Sequence, residues 1–218
     1  MTYAYNIDCM AYMRGLPDKA FELAIVDPMY GIGENGSKAR SRCNLAKGQK
    51  YKIVNDTPPD ESYFRELFRV SSDQIIFGAN HFISQFARDA SCWIVWDKKN
   101  GNNNYADCEL AWTSFPGSVK KFEYLWSGML QEHSGAGHQY RIHPCEKPVA
   151  LYTWLMQNYA KPGDRILDTH LGSGSSRLAA YDLDLDFVGC EIDTDYFKAQ
   201  ESRFSRYAAQ CSLFVRGL

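Results

Sequence analysis

Two short stretches of the 218-residue chain hold the residue types that ligand chemistry needs at a strand edge. The first is Asp27-Pro28-Met29-Tyr30, directly after the apolar run ELAIV. A strand ending there puts the four residues where open α/β sheets bind ligands, outside the carboxyl ends of their strands. Proline lacks an N–H and fixes its φ, so the turn is stiff. It would hold a carboxylate, one or two backbone carbonyls and an aromatic plane in fixed relation. Two acceptors and a stacking surface are what an exocyclic amine on a flat heterocycle requires. The same residues also suit a plain Pro turn with Tyr30 packed into the core, and the motif alone does not choose.

The second stretch runs from Asp168 through Leu171, Gly172, Ser173, Gly174 and Ser175 to Ser176, after the strand-like RIL and at the opening of a helix. Such a loop lets backbone approach a ligand and points helix N–H groups at its polar end. Glu191 ends the next strand-like run, DFVGCEI, where a carboxylate can accept both hydroxyls of a ribose. The third glycine of a dinucleotide loop is missing, since Ser175, Ser176 and Arg177 follow Gly174. Asp168 suits a cationic amino group better than a pyrophosphate. Asp168 and Glu191 together favour a nucleoside with a zwitterionic tail over a nicotinamide dinucleotide.

Composition removes several other readings. With 24 basic against 26 acidic side chains, the net charge of −2 excludes an all-over basic nucleic-acid binder but not one basic face. The seven cysteines, at 9, 43, 92, 108, 145, 190 and 211, include no C-x-x-C pair. His133, His138 and His143 are irregularly spaced, so no metal site is expected. Scattered thiols in odd number fit a reducing compartment. No basic segment leads an apolar run at the start, and no apolar run reaches the about 18–20 residues that span a bilayer. The expectation is a cytoplasmic protein without a membrane anchor.

The positioning elements are short apolar runs at Glu22–Asp27, Gln74–Gly78, Cys92–Trp96, Glu109–Thr113, Arg165–Asp168 and Asp186–Ile192, with weaker ones at Tyr3–Ile7 and Phe122–Trp126. Continuous apolar runs suit strands covered on both faces. Helical spacing lies between them at Asp60–Val70, Lys147–Ala160, Ser176–Leu183 and Asp195–Ala209. The alternation predicts a three-layer α/β domain around a mostly parallel sheet, one domain over residues 1–218. Two stretches break the pattern. Gly31–Ile53 is rich in Gly, Lys and Arg without apolar periodicity, and reads as a mobile basic loop. Pro116–His143 mixes aromatic, Gly and basic residues, and reads as a small insertion.

In order and spacing these features resemble the DNA amino-methyltransferases that use S-adenosylmethionine. The order is the permuted (β) one, in which a D-P-P-Y-type motif precedes the D-x-x-x-G-x-G-type cofactor motif. The resemblance runs from Asn6 to Phe204. It includes Asp8 before a helix, the segment His143-Pro144-Cys145-Glu146-Lys147-Pro148, Phe77–His81, and Trp93–Asp97 with Glu109–Phe115. Met29 departs from the family's second proline and adds an N–H and some freedom to the turn.

The resemblance implies a Rossmann-like methyltransferase fold and a double-stranded DNA substrate whose target base is flipped out of the helix. Tyr30 would stack on that base, while the Asp27 carboxylate and the Pro28 carbonyl hold its amino group beside Met29. Asp8, Cys9, Lys147, Asp168, Leu171, Gly172, Ser173, Gly174, Ser175 and Glu191 would hold S-adenosylmethionine. An Asp at the start of the motif leans to adenine N6; cytosine N4 is the alternative, and a non-catalytic DNA-binding relative a second. A nicotinamide oxidoreductase leaves Asp27–Tyr30 unexplained. Lys38, Arg40, Arg42, Lys47, Lys50 and Lys52 would contact phosphates, and the insertion, with Gln139 and Arg141, would read bases. Cys145 lies in the helix-opening segment and is not expected to be a nucleophile. Monomer and homodimer are both open.

Overall fold

The computed structural model describes residues 1–33, 52–101, 106–127, 130–131 and 141–216. Ten strands and five α-helices are present among them. In chain order they are β1 (Thr2–Tyr5), α1 (Cys9–Arg14), β2 (Phe21–Val26), α2 (Glu61–Val70), β3 (Ser71–Phe77), β4 (Trp93–Asp97), β5 (Cys108–Thr113), β6 (Lys120–Glu123), β7 (Trp126–Ser127), β8 (Leu130–Gln131), α3 (Val149–Tyr159), β9 (Arg165–Asp168), α4 (Ser175–Asp182), β10 (Asp186–Cys190) and α5 (Thr194–Arg216). Eight of the strands form one sheet in the order β1-β10-β9-β2-β3-β5-β4-β6, and β7 and β8 form a small hairpin. The run from β1 to β3 is parallel throughout. β5 then pairs antiparallel with both β3 and β4.

The apolar runs are continuous because the sheet is covered on both sides. In β2, Leu23 and Ile25 enter one core with Ile75, Phe77, Ile166 and Phe187, under α3 and α4. Ala24 and Val26 alternate into a second core with Ile76, Leu167 and Val188, under α1 and α2. A strand residue points to the face opposite its neighbour's, so two buried faces require apolar side chains at every position.

Local chemistry sets the helix starts. Asp60 caps α2 by accepting from the N–H groups of Ser62 (2.9 Å) and Tyr63 (3.2 Å), and the helix buries Tyr63, Phe64, Leu67 and Val70. Pro148 is the N-cap of α3, inside the predicted helical span Lys147–Ala160. α5 begins as expected but continues to Arg216, past the predicted end at Ala209, because no breaker comes before Gly217. The predicted Phe122–Trp126 strand is divided between β6 and β7.

Candidate active site

β2 and β9 are neighbours, so both motifs leave the sheet side by side at its carboxyl edge. Asp27 follows β2 and is nearly covered. Tyr30 Oη donates to Asp27 Oδ1 at 2.6 Å, and Lys147 Nζ donates to Asp27 Oδ2. The same ammonium lies 3.1 Å from Tyr30 Oη and 3.1 Å from Glu109 Oε2. Lys98 pairs with Glu109 Oε1 at 2.5 Å. Four charged groups, from β5, the residues just after β2 and β4, and the segment before α3, thus form one chain, Asp27–Lys147–Glu109–Lys98.

Burial pushes the Asp27 carboxyl above the usual aspartate range, with Lys147 opposing it. Burial also acts upward on Glu109, but Lys147 and Lys98 outweigh it and hold that carboxyl at about 2. Lys147, only 5% exposed, would lose basicity through burial, but Asp27 and Glu109 more than compensate and keep it protonated. Lys147, expected on the cofactor, has its ammonium in the catalytic turn between two buried carboxylates.

Tyr30 is held more firmly than a free stacking plane. Its ring lies over Gly78, where a Cβ would stand 2.0 Å from Cε1, and Gly78 has the left-handed φ of +67°. The imidazole of His81 stacks on it, with centroids 5.2 Å apart and planes 18° apart. Of the two readings open in the sequence, the ring packs on both cores and still places its hydroxyl on Asp27.

The glycine loop lies across from this turn. Asp168, 1% exposed, accepts from the His170 N–H at 3.0 Å and from Ser176 Oγ at 2.5 Å. Glu191, 8% exposed, accepts from the N–H groups of Gly172 and Asp193, both at 2.8 Å. Neither carboxylate meets a Lys or Arg among the described residues. Burial above all raises Asp168 to about 7, and it raises Glu191 as well. Two buried anions without cations fit a ligand that brings an ammonium and hydroxyl donors.

Gly172 and Gly174 have φ of +51° and +75°, the left-handed region that favours glycine. At Gly174 a Cβ would meet Gln200 of α5 at 3.2 Å, so the close neighbour there is the protein itself. Leu171 is buried, anchoring the loop over Gly189. Ser173 and Ser175 are also buried; Arg203 donates to Ser173 O and Ser175 Oγ, and it pairs with Glu146. Asp8 caps α1 through the Ala11 N–H, with Cys9 next to it. His143 lies against Gly172 and edge-on to Tyr196.

Two of the expected DNA contacts, Lys52 and Arg141, lie among the described residues. Lys52 is committed to Asp193 (2.8 Å) and Asp195 (2.6 Å), while its carbonyl accepts from Tyr196 Oη, because the start of α5 offers it two carboxylates. The Arg141 guanidinium lies over the Trp126 indole, 4.9 Å from its centroid. Lys38, Arg40, Arg42, Lys47, Lys50 and Gln139 lie outside the described residues. Lys98 was not singled out in the sequence, and His81 and Glu109 stood only at the ends of segments that carry the resemblance, without a site role. A glutamate in an otherwise apolar strand, paired across from Trp96, was the available signal.

Among the described residues no group of His, Cys, Asp and Glu could hold a metal ion, and no helix is long and apolar enough to cross a membrane. A profile of the family described as DNA methylase matches residues 93–202. The Type II methyltransferase M2.MboI of Moraxella bovis is 21% identical over 235 residues, 92% of this chain and 86% of that protein. The structure of M1.HpyAVI with SAM shares the fold at a TM-score of 0.58 and 21% identity, over 93% of this chain and all of that one. The cytosine-N4-specific PvuII DNA methyltransferase does so at 0.60 and 13%, over 93% and 87%. A strand-edge Asp-Pro-x-Tyr turn, a glycine loop beside it and a family match across half the chain agree: the protein belongs to the N6/N4 DNA methylase family and is a DNA methyltransferase.

Proposed function

We propose that the protein transfers a methyl group from S-adenosylmethionine to the N6 amino group of adenine in double-stranded DNA. The observation that carries this reading is the turn after β2, in which one carboxylate and one aromatic hydroxyl are locked together beside the glycine loop. Asp27 and the Pro28 carbonyl accept the two hydrogens of the flipped amino group and hold its lone pair toward the cofactor. S-adenosylmethionine, when bound, supplies an electrophilic methyl group on a positively charged sulfur. Asp168 would hold its ammonium, Glu191 its ribose hydroxyls and Asp8 its adenine. The amino nitrogen would form its bond to the methyl carbon as the S–CH3 bond breaks, its electron pair passing to sulfur to leave neutral S-adenosylhomocysteine; the Asp27 anion would offset the positive charge gained on nitrogen until one N–H proton passes to solvent. The chemistry needs positioning and charge, not a covalent enzyme adduct. Burial raises the Cys145 thiol to about 12, so it stays protonated and is no nucleophile.

Adenine is preferred because the motif begins with Asp. Cytosine N4 is the second reading, since a cytosine-N4-specific enzyme shares the fold. The basic stretch of residues 38–50 supplies phosphate contacts, and residues 116–143 read a short base sequence. Modification-sensitive sequencing of DNA from cells expressing the protein tests all of this. N6-methyladenine at one short recurring site is expected. N4-methylcytosine there would replace the adenine reading, and unmodified DNA would overturn the reading altogether.

A further inference from the structure

Each Asp27 oxygen already has a donor: Tyr30 Oη on one and the Lys147 ammonium on the other. While Lys147 stays, the carboxylate is both occupied and neutralised. It is then a weak acceptor for an incoming amino group and a weak counter-charge for the nitrogen that gains the methyl. The displaced ammonium has a destination within reach. Glu109 Oε2 is buried and lies 3.1 Å from Nζ, so the ammonium is already shared between the two carboxylates. Lys98 holds the other Glu109 oxygen at 2.5 Å and fixes the carboxylate in place.

We propose that Glu109 is a positioning residue for methyl transfer: it takes the Lys147 ammonium from Asp27 as the target amino group arrives. This rests on the reading of Asp27 as the acceptor of that amino group. The move is short because Nζ already touches both carboxylates. It separates the charges usefully, leaving Lys147 with Glu109 and Asp27 as a full anion at the reacting nitrogen. Glu109 touches neither base nor cofactor, and it acts only through Lys147.

The charge count supplies a test that a purely structural role would fail. Glu109→Gln keeps the shape but leaves Asp27 against two lysines, with Lys147 confined to Asp27. Single-turnover methyl transfer should fall by about tenfold or more, the loss of one charge-assisted hydrogen bond in the transition state. S-adenosylhomocysteine affinity should stay within about twofold, since uniform binding is untouched. The double variant Glu109→Gln/Lys147→Met restores charge balance and removes the competitor, so it should be faster than Glu109→Gln alone. A structural role makes the double variant slower, as two losses combine. Glu109→Asp, which keeps the charge, should fall between wild type and Gln, and it serves if Gln does not fold. An unchanged rate in Glu109→Gln, or a double variant slower than the single, overturns the inference. Asp27→Ala, measured alongside, separates the two levels: if it retains turnover, the reading of Asp27 fails first.

Discussion

At the scale of single residues, two buried carboxylates do opposite work. Asp27 must be ionised to accept the amino group. Burial raises its pKa, so the acid limb of the single-turnover rate should lie above the ordinary aspartate range and fall away as pH drops. Asp27→Ala should slow transfer by roughly 100-fold or more with cofactor affinity little changed, as for other groups that act mainly in the transition state. Asp168 is raised to about 7, first of all by burial. A carboxyl with a raised folded pKa favours the folded state while protonated. Its contribution is therefore complete below the unfolded value, near 4, and is lost as pH climbs through about 7. Asp168→Asn removes that loss. The cofactor-free variant should match wild type near pH 4 and exceed it at pH 8 by an amount on the order of 1–4 kcal/mol. It should also bind S-adenosylhomocysteine more weakly, because the ammonium loses its counter-charge. Thermal unfolding across pH checks the first part and titration the second; equal stabilities at pH 8 would refute the buried-anion account.

At the scale of elements, the site depends on turns that only glycine fits. Gly78 ends β3 with a left-handed φ, and its missing Cβ is the space that Tyr30 fills. Gly78→Ala should cost roughly 1–2 kcal/mol from the backbone alone, and more from the overlap with the ring. Displacing Tyr30 removes a donor from Asp27, so methyl transfer should fall while S-adenosylhomocysteine still binds. Equal damage to both would mean that the turn supports the whole sheet edge and not Tyr30 in particular. Gly174→Val should weaken cofactor binding for a reason that the motif did not reveal. The added carbons meet Gln200 in α5, and the loop must shift away from helix and ligand together. Glu191→Ala removes the acceptor for two backbone N–H groups and for the ribose, and should weaken S-adenosylhomocysteine by roughly 1.5–3 kcal/mol.

At the scale of the whole molecule, a near-neutral protein must bind a polyanion through one region, and the basic residues between 38 and 50 are the concentration available. Each phosphate they neutralise should add about 0.9 log units of affinity loss per log unit of salt. Replacing Arg40 and Arg42 together should weaken cognate and random duplexes alike and flatten that slope by up to roughly two units. An unchanged slope would remove this stretch from the interface. Lys52 already pairs with Asp193 and Asp195 at the start of α5. The sequence by itself determined what rests on local periodicity and turn chemistry. It marked the strands from their apolar runs, the ends of β2 and β9 from Asp27-Pro28 and the glycine loop, and the carboxylate at the end of β10. Neighbours along the chain decide those features. The tertiary structure alone decided which distant groups meet. Lys147 lies 120 residues from Asp27, and only the order of the sheet brings it there. The antiparallel insertion of β5 between β3 and β4 carries Glu109 to the same point, and the register of Trp96 with Glu109 sets Lys98 nearby. A charged side chain shows in a sequence which partners it could accept. Which of them it takes is fixed when burial makes an unpaired charge too costly to leave.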